Sequence, residues 1–108
     1  VRLLLENGAP VNHAGKGGYS SLYVACALFS RVDFARLLLE HGAKVNQAII
    51  DGASPLYAAA KTGRIEVARL LLSNGAKVDQ ARHDGITPLY FSYEAANVDI
   101  ARLLLDNG

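Results

Sequence analysis

Three histidines, one cysteine and one glycine-rich run are the parts of this chain with residue types suited to chemistry. His13, His41 and His83 could move protons or bind a metal, and Cys26 could act as a nucleophile. None of the three histidines stands at metal-ligand spacing from Cys26 or from another histidine. His41 falls at the end of a helix-patterned segment, where an imidazole meets free carbonyls and the negative end of the helix dipole. No histidine or basic group is placed beside Cys26, so a packed thiol is expected there. The run Gly15-Lys16-Gly17-Gly18 invites a phosphate-loop reading. Pro10 stands where that motif needs its first glycine, and no Ser or Thr follows the lysine. A flexible hairpin tip accounts for the run. No catalytic residue, cofactor or metal is expected.

Composition narrows the classes further. The 108 residues carry 11 Lys plus Arg against 10 Asp plus Glu, a net charge of +1. That balance excludes a polycationic nucleic-acid arm and an acidic tail. One cysteine cannot form an internal disulfide, so a secreted disulfide scaffold is excluded. The longest apolar run, Leu22 to Phe29, has eight residues. A membrane-spanning helix needs roughly 20. The chain starts at Val1 and contains no methionine, and it is expected to be a piece of a longer protein.

Positioning elements come from a repeat. Leu3-Leu4-Leu5 returns as Leu37-Leu38-Leu39, Leu70-Leu71-Leu72 and Leu103-Leu104-Leu105, in steps of 34, 33 and 33 residues. Gly8, Gly42, Gly75 and Gly108 keep these steps, as do Arg2, Arg36, Arg69 and Arg102. Between them recur Gly18-x-Ser20-Ser21-Leu22-Tyr23, Gly52-x-Ser54-Pro55-Leu56-Tyr57 and Gly85-x-Thr87-Pro88-Leu89-Tyr90. A period near 33 belongs to helical solenoids. One extra residue falls in 27–30 relative to 61–63, and a loop between helices is expected to take it.

Each unit reads as turn, helix, short loop, helix. Ser54 or Thr87 is an N-cap, with Pro55 or Pro88 at the first helical position. Gly63 ends the first helix of its unit, and a second helix over about 65–74 stops at Gly75. Val67, Ala68, Leu70, Leu71 and Leu72 make the second helix apolar around most of its circumference, so it must be buried on more than one side. Stacked units bury such a helix; a single unit cannot. The arginine ladder suggests a nucleic-acid stripe, but Asp33, Glu66 and Asp99 sit three residues before Arg36, Arg69 and Arg102. Locally offset charge favours a solvated face.

The chain resembles the ankyrin repeat family over all 108 residues. The string that carries the likeness is D-G-A-S-P-L-Y-A-A-A-K-T-G-R-I-E-V-A-R-L-L-L-S-N-G-A-K-V-D, Asp51 to Asp79, with D-G-I-T-P-L-Y from Asp84 and V-D-I-A-R-L-L-L-D-N-G from Val98. The resemblance implies an all-α solenoid of stacked antiparallel helix pairs joined by hairpin-like loops at 9–18, 43–52 and 76–85. The expected organisation is a partial leading repeat, 1–14, and units of about 15–48, 49–81 and 82–108, cut at both ends from a longer array. The family usually has His where this chain has Tyr23, Tyr57 and Tyr90. That His ties turns together by hydrogen bonds; tyrosine also hydrogen-bonds and adds apolar area. Asparagines in the loop after the second helix are hydroxylation targets in the family; Asn12 and Asn46 hold that place, and Asp79 holds it in the third unit. His13 shares the next position with Gln47 and Gln80 and is expected to be a surface polar residue.

The resemblance also implies a recognition surface: the hairpin tips and the exposed side of the first helices. Carried over by position, the partner-binding residues are Lys16, Tyr19, Leu28 and Phe29 in unit 1. Unit 2 supplies Ile50, Asp51, Lys61 and Thr62, with Ala53 beside them. Unit 3 supplies His83, Asp84, Ile86 and Glu94, with Ala95 beside them. An anchor of Phe29, Tyr19 or Ile50 with a rim of Lys61, Asp51 and Asp84 is expected, unless the insertion turns Leu28 and Phe29 inward. The implied function is a non-catalytic scaffold or adaptor that binds another protein, with no nucleic-acid or membrane contact, as a monomer in the cytoplasm or nucleus. The alternative is a regulatory or substrate-docking arm of a larger enzyme or channel.

Overall fold

A computed structural model describes residues 12, 14–29, 32–94 and 97–107; the side chains of Leu28 and Phe29 lie outside that description. The described residues are helical, with one isolated antiparallel bridge, Ala14 to Ser20. A 3-10 turn at Lys16–Gly18 precedes α1, Ser21–Val24, which continues as a π-helical turn at Ala25–Phe29. Then follow α2 (Val32–Glu40), α3 (Pro55–Thr62), α4 (Ile65–Ser73), α5 (Pro88–Glu94) and α6 (Val98–Asp106). The elements form three helix pairs at the period of the sequence. First helices pack on first helices and second helices on second helices, α2 on α4 on α6. The result is an all-α solenoid, 41 × 25 × 21 Å.

The extra residue of unit 1 is not taken up by a loop, contrary to expectation. It falls where the first helix winds into the π turn Ala25–Phe29. One added residue inside a helix is accommodated by i→i+5 bonding, the usual origin of a π bulge.

The first helices start as their residue types require. Ser20, Ser54 and Thr87 hydroxyl oxygens accept from the backbone N–H of Tyr23, Tyr57 and Tyr90, at 3.2, 3.1 and 3.2 Å. Each cap satisfies one donor that the helix cannot, worth about 1 kcal/mol. Gly63 closes α3 in the left-handed region, φ 73°, where a side chain would be strained. Asn97, unremarked in the sequence, caps α6 by accepting from Ile100 N–H at 3.1 Å. Second helices end alike: His41 Nδ1, Asn74 Nδ2 and Asn107 Nδ2 lie 3.0, 2.9 and 2.8 Å from the carbonyls of Leu37, Leu70 and Leu103. The expected carbonyl partner of His41 is therefore present, in a register it shares with two asparagines.

A continuous core runs through the stack. Leu22, Cys26, Ala35, Leu38, Leu56, Ala60, Val67, Ala68, Leu71, Ile100 and Leu104 are all buried in it. Full burial of each large aliphatic side chain stabilises by about 1.5–3 kcal/mol. Small residues such as Ala59, Ala60 and Ala68 let neighbouring helices approach closely. Cys26 belongs to this core, and burial pushes its thiol up to about 12. It stays protonated near neutral pH and is no nucleophile.

Loops after the second helices are joined by side-chain hydrogen bonds from one unit to the next. Asn12 Oδ1 accepts from Lys44 N–H at 2.7 Å, and its Nδ2 donates to Gly42 O at 3.1 Å. Gln47 Nε2 donates to Asn12 O at 3.0 Å. One unit later Asn46 accepts from Lys77 N–H at 3.0 Å and donates to Gly75 O at 3.4 Å, while Gln80 donates to Asn46 O at 3.1 Å. Gln47 and Gln80 are thus partly buried latches between units, not free surface groups. His13 lies outside the described residues. Tyrosine does not take over the turn-tying role at Tyr57: its buried hydroxyl has no hydrogen-bond partner among the described residues.

Candidate partner-binding face

Three hairpin tips are built on one plan. In each, the first residue donates its N–H to the carbonyl four residues on: Gly15 to Tyr19 at 3.1 Å, Ile49 to Ala53 at 3.0 Å, Arg82 to Ile86 at 2.9 Å. The same residue's carbonyl accepts from Gly18, Gly52 or Gly85. These glycines have φ of 83°, 92° and 87°. Asp51 and Asp84 close their turns by accepting from the N–H two residues ahead, Ala53 at 3.0 Å and Ile86 at 3.2 Å. Aspartate commonly bonds its own backbone this way. Gly17 holds the equivalent place in unit 1 and offers no side chain for it.

The tips stack through their backbones. Ile50 N–H donates to Gly17 O at 2.9 Å, and His83 N–H donates to Asp51 O at 2.8 Å. The approach is so close that a Cβ on Gly52 would lie 2.8 Å from His83 N. A row of tips held this way is stiff, and side chains at its edge are carried in fixed order.

Beneath the tips lies an aromatic layer. Tyr23, Ala53, Tyr57 and Ala58 are buried together, with Ala27, Ile49, Ile86 and Phe91 packed against them. Tyr19 meets Tyr23 edge-on at 5.5 Å between ring centroids, and Tyr57 meets Phe91 edge-on at 5.4 Å. Two cations cover the second ring pair. Arg82 lies 5.5 Å over the Tyr57 ring, and Lys61 Nζ lies 5.6 Å over Phe91. Such contacts are worth about 0.5–1 kcal/mol when exposed. Arg82 is also paired with the Asp84 carboxylate across the hairpin tip. Its guanidinium holds that carboxyl below the usual carboxylate range. Tyr23 is pushed up to about 12, first by burial and then by the Asp51 carboxylate. Tyr57 is raised too: burial dominates, Arg82 opposes, and Asp84, Asp51 and Glu94 add to the rise.

The expected contact residues fall into two rows. Lys16, Tyr19, Ile50, Asp51, His83 and Asp84 are exposed along the stacked tips, Ile50 at 71 % against 48 % for Tyr19. Lys61, Thr62 and Glu94 are exposed at the C-terminal ends of the first helices. Ile86 is half-buried in the aromatic layer. Thr62 Oγ1 is turned onto its own helix, donating to Ala58 O at 2.8 Å. The side chains of Leu28 and Phe29 lie outside the described residues, as does Ala95. Ala53 is corrected: at 1 % exposure it packs under the tips and offers nothing to a partner.

Sequence reasoning missed Arg82 and the Tyr23–Tyr57–Phe91 layer as parts of this face. The repeat register carried a signal for the layer, since Tyr recurs at 23, 57 and 90, but Phe91 and Arg82 have no counterpart of like chemistry in the other units. Glu66, Arg69, Asp99 and Arg102 on the second helices are exposed, as a solvated face requires. Among the described residues no helix is long and apolar enough to cross a membrane.

A family model described as ankyrin repeats (three copies) matches residues 45–108, and one described as ankyrin repeat matches residues 17–49. No curated protein matches the chain.

Proposed function

The chain belongs to the ankyrin repeat family, whose repeats generally serve as protein–protein interaction modules, and from that premise we propose that it is a non-catalytic scaffold or adaptor module. It holds a protein partner on the hairpin tips and the exposed ends of the first helices. The observation that carries this reading is the contrast between registers. Packing positions repeat as Leu, Ala and Val, whereas the tip positions read Lys16-Gly17, Ile50-Asp51 and His83-Asp84. Exposed Tyr19 and Ile50 flank a buried aromatic layer ringed by Lys61, Arg82, Asp84 and Glu94. Interfaces gain most from aromatic and arginine anchors with a polar rim. Stacked tips are already ordered, so docking costs little conformational entropy. The proposed setting is the cytoplasm or nucleus, where a free buried thiol such as Cys26 is at home.

The test is affinity capture from a source lysate with the full chain and its native flanks, beside a Tyr19→Asp, Ile50→Asp variant shown to be folded. A protein retained on the first and lost from the second is expected. Equal retention on both overturns the assignment of the tips as the binding face.

A further inference from the structure

The proposed face has an unmet hydrogen bond in it. Tyr57 is 2 % exposed, and its hydroxyl has no partner among the described residues. A buried hydroxyl left unpaired costs roughly 1–3 kcal/mol, which a phenylalanine would not incur. The ring itself is well used, edge-on to Phe91 and under the Arg82 guanidinium. The hydroxyl alone makes no hydrogen bond among the described residues.

Charge around it is uneven. Asp84 is taken up by Arg82. Asp51 uses Oδ1 on its own turn, and Glu94 accepts from Tyr90 Oη at 3.0 Å through Oε1. Among the described residues neither Asp51 nor Glu94 is in an ion pair, and both are exposed. Among the described residues, Lys61 over Phe91 is a cation here with no carboxylate in an ion pair with it. Around Tyr57 three carboxylates, Asp84, Asp51 and Glu94, therefore face two cations, Arg82 and Lys61, and Arg82 acts on its hydroxyl more strongly than any one of the carboxylates.

Resting on the reading of this face as a protein-binding one, we infer that its partner presents a segment with basic side chains, lysine or arginine. These lie against the free oxygens of Asp51 and Glu94 and donate to the Tyr57 hydroxyl oxygen once they displace Arg82 from over the ring. Aromatic faces at Tyr57 and Phe91 favour cations for the same quadrupole reason that holds Arg82 and Lys61 there now. An acidic segment would meet Asp51 and Glu94 as like charges, which costs affinity.

The experiment selects a displayed library of random dodecapeptides on the full chain and measures the binders on three variants. Asp51→Asn keeps the turn-closing oxygen, and Glu94→Gln keeps the acceptor for Tyr90. The expected result is enrichment of lysine and arginine, with binding weakened about tenfold by each of these substitutions. Tyr57→Phe should raise the melting temperature by roughly 4 °C while weakening the same peptides. A tyrosine of purely structural role would change stability and leave binding alone. Peptides without basic enrichment, or basic peptides that bind Asp51→Asn and Glu94→Gln as well as the parent, overturn the inference and leave the interaction-module reading standing. If no selected peptide is lost on the Tyr19→Asp, Ile50→Asp variant, both fall.

Discussion

Gly52 and Gly15 show how two residues of one type carry different demands. Gly52 has φ 92°, and a Cβ there would meet His83 N at 2.8 Å and His83 Cδ2 at 2.5 Å. Gly52→Ala is expected to cost more than about 1 kcal/mol in urea denaturation, through backbone strain and displacement of the third tip. Gly15 has φ −81° and nothing within 4 Å of its notional Cβ. Gly15→Ala should be neutral or stabilise by about 0.4–1 kcal/mol, because it only narrows the unfolded ensemble. A larger loss at Gly15 than at Gly52 would contradict the tip geometry. Both glycines are visible in the sequence, but only Gly52 sits in a recurring Gly-x-Ser/Thr register that announces a turn. That a neighbouring tip presses on it is a three-dimensional fact.

At the scale of elements, the turns and caps were largely legible. Ser54, Thr87, Pro55, Pro88 and Gly63 do locally what their chemistry dictates, so their roles follow from type and position. Latches between elements were less so. Asn46 reads as one polar loop residue among several, yet it bridges to Gly75 and Lys77 about 30 residues away. Asn46→Ala is expected to destabilise by about 1–2 kcal/mol, since Lys77 N–H loses its acceptor. Asn46→Asp keeps that acceptor and loses only the longer 3.4 Å bond, so it should cost less. Chemical denaturation of the two variants ranks them; an equal loss would mean that Gly75 O is the partner that matters. The π turn at Ala25–Phe29 makes the same point from the other direction. Counting residues located the insertion, but that the helix absorbs it, as a π turn, is seen only in the structure.

For the molecule as a whole, equal register does not mean equal environment. Ala60 and Tyr93 occupy the same position in consecutive units; Ala60 is fully buried and Tyr93 is 80 % exposed. Unit 3 packs over the first of these positions, and no described residue packs over the second. Ala60→Tyr should therefore overpack the joint between α3 and α5 and cost about 1–3 kcal/mol or more. Tyr93→Ala should change stability by less than about 0.5 kcal/mol. Melting temperatures of the two variants test this; a comparable drop in both would mean that the third unit's outer face is covered.

The sequence by itself determined the repeat, its helices and caps, and the buried Leu and Ala registers, because these rest on local chemistry repeated at a fixed period. It also made catalysis by Cys26 or the histidines a poor reading. Tertiary structure alone decided what the units do to one another. It set the backbone bonds that stack the tips, the burial of Ala53 and the latching of Gln47 and Gln80. It also brought Arg82 over Tyr57 and left the Tyr57 hydroxyl without a partner among the described residues. Those relations join residues 25 to 35 positions apart, or in Tyr57 record the lack of a partner. They depend on the spacing and angle at which one helix pair lands on the next, a quantity no single register encodes.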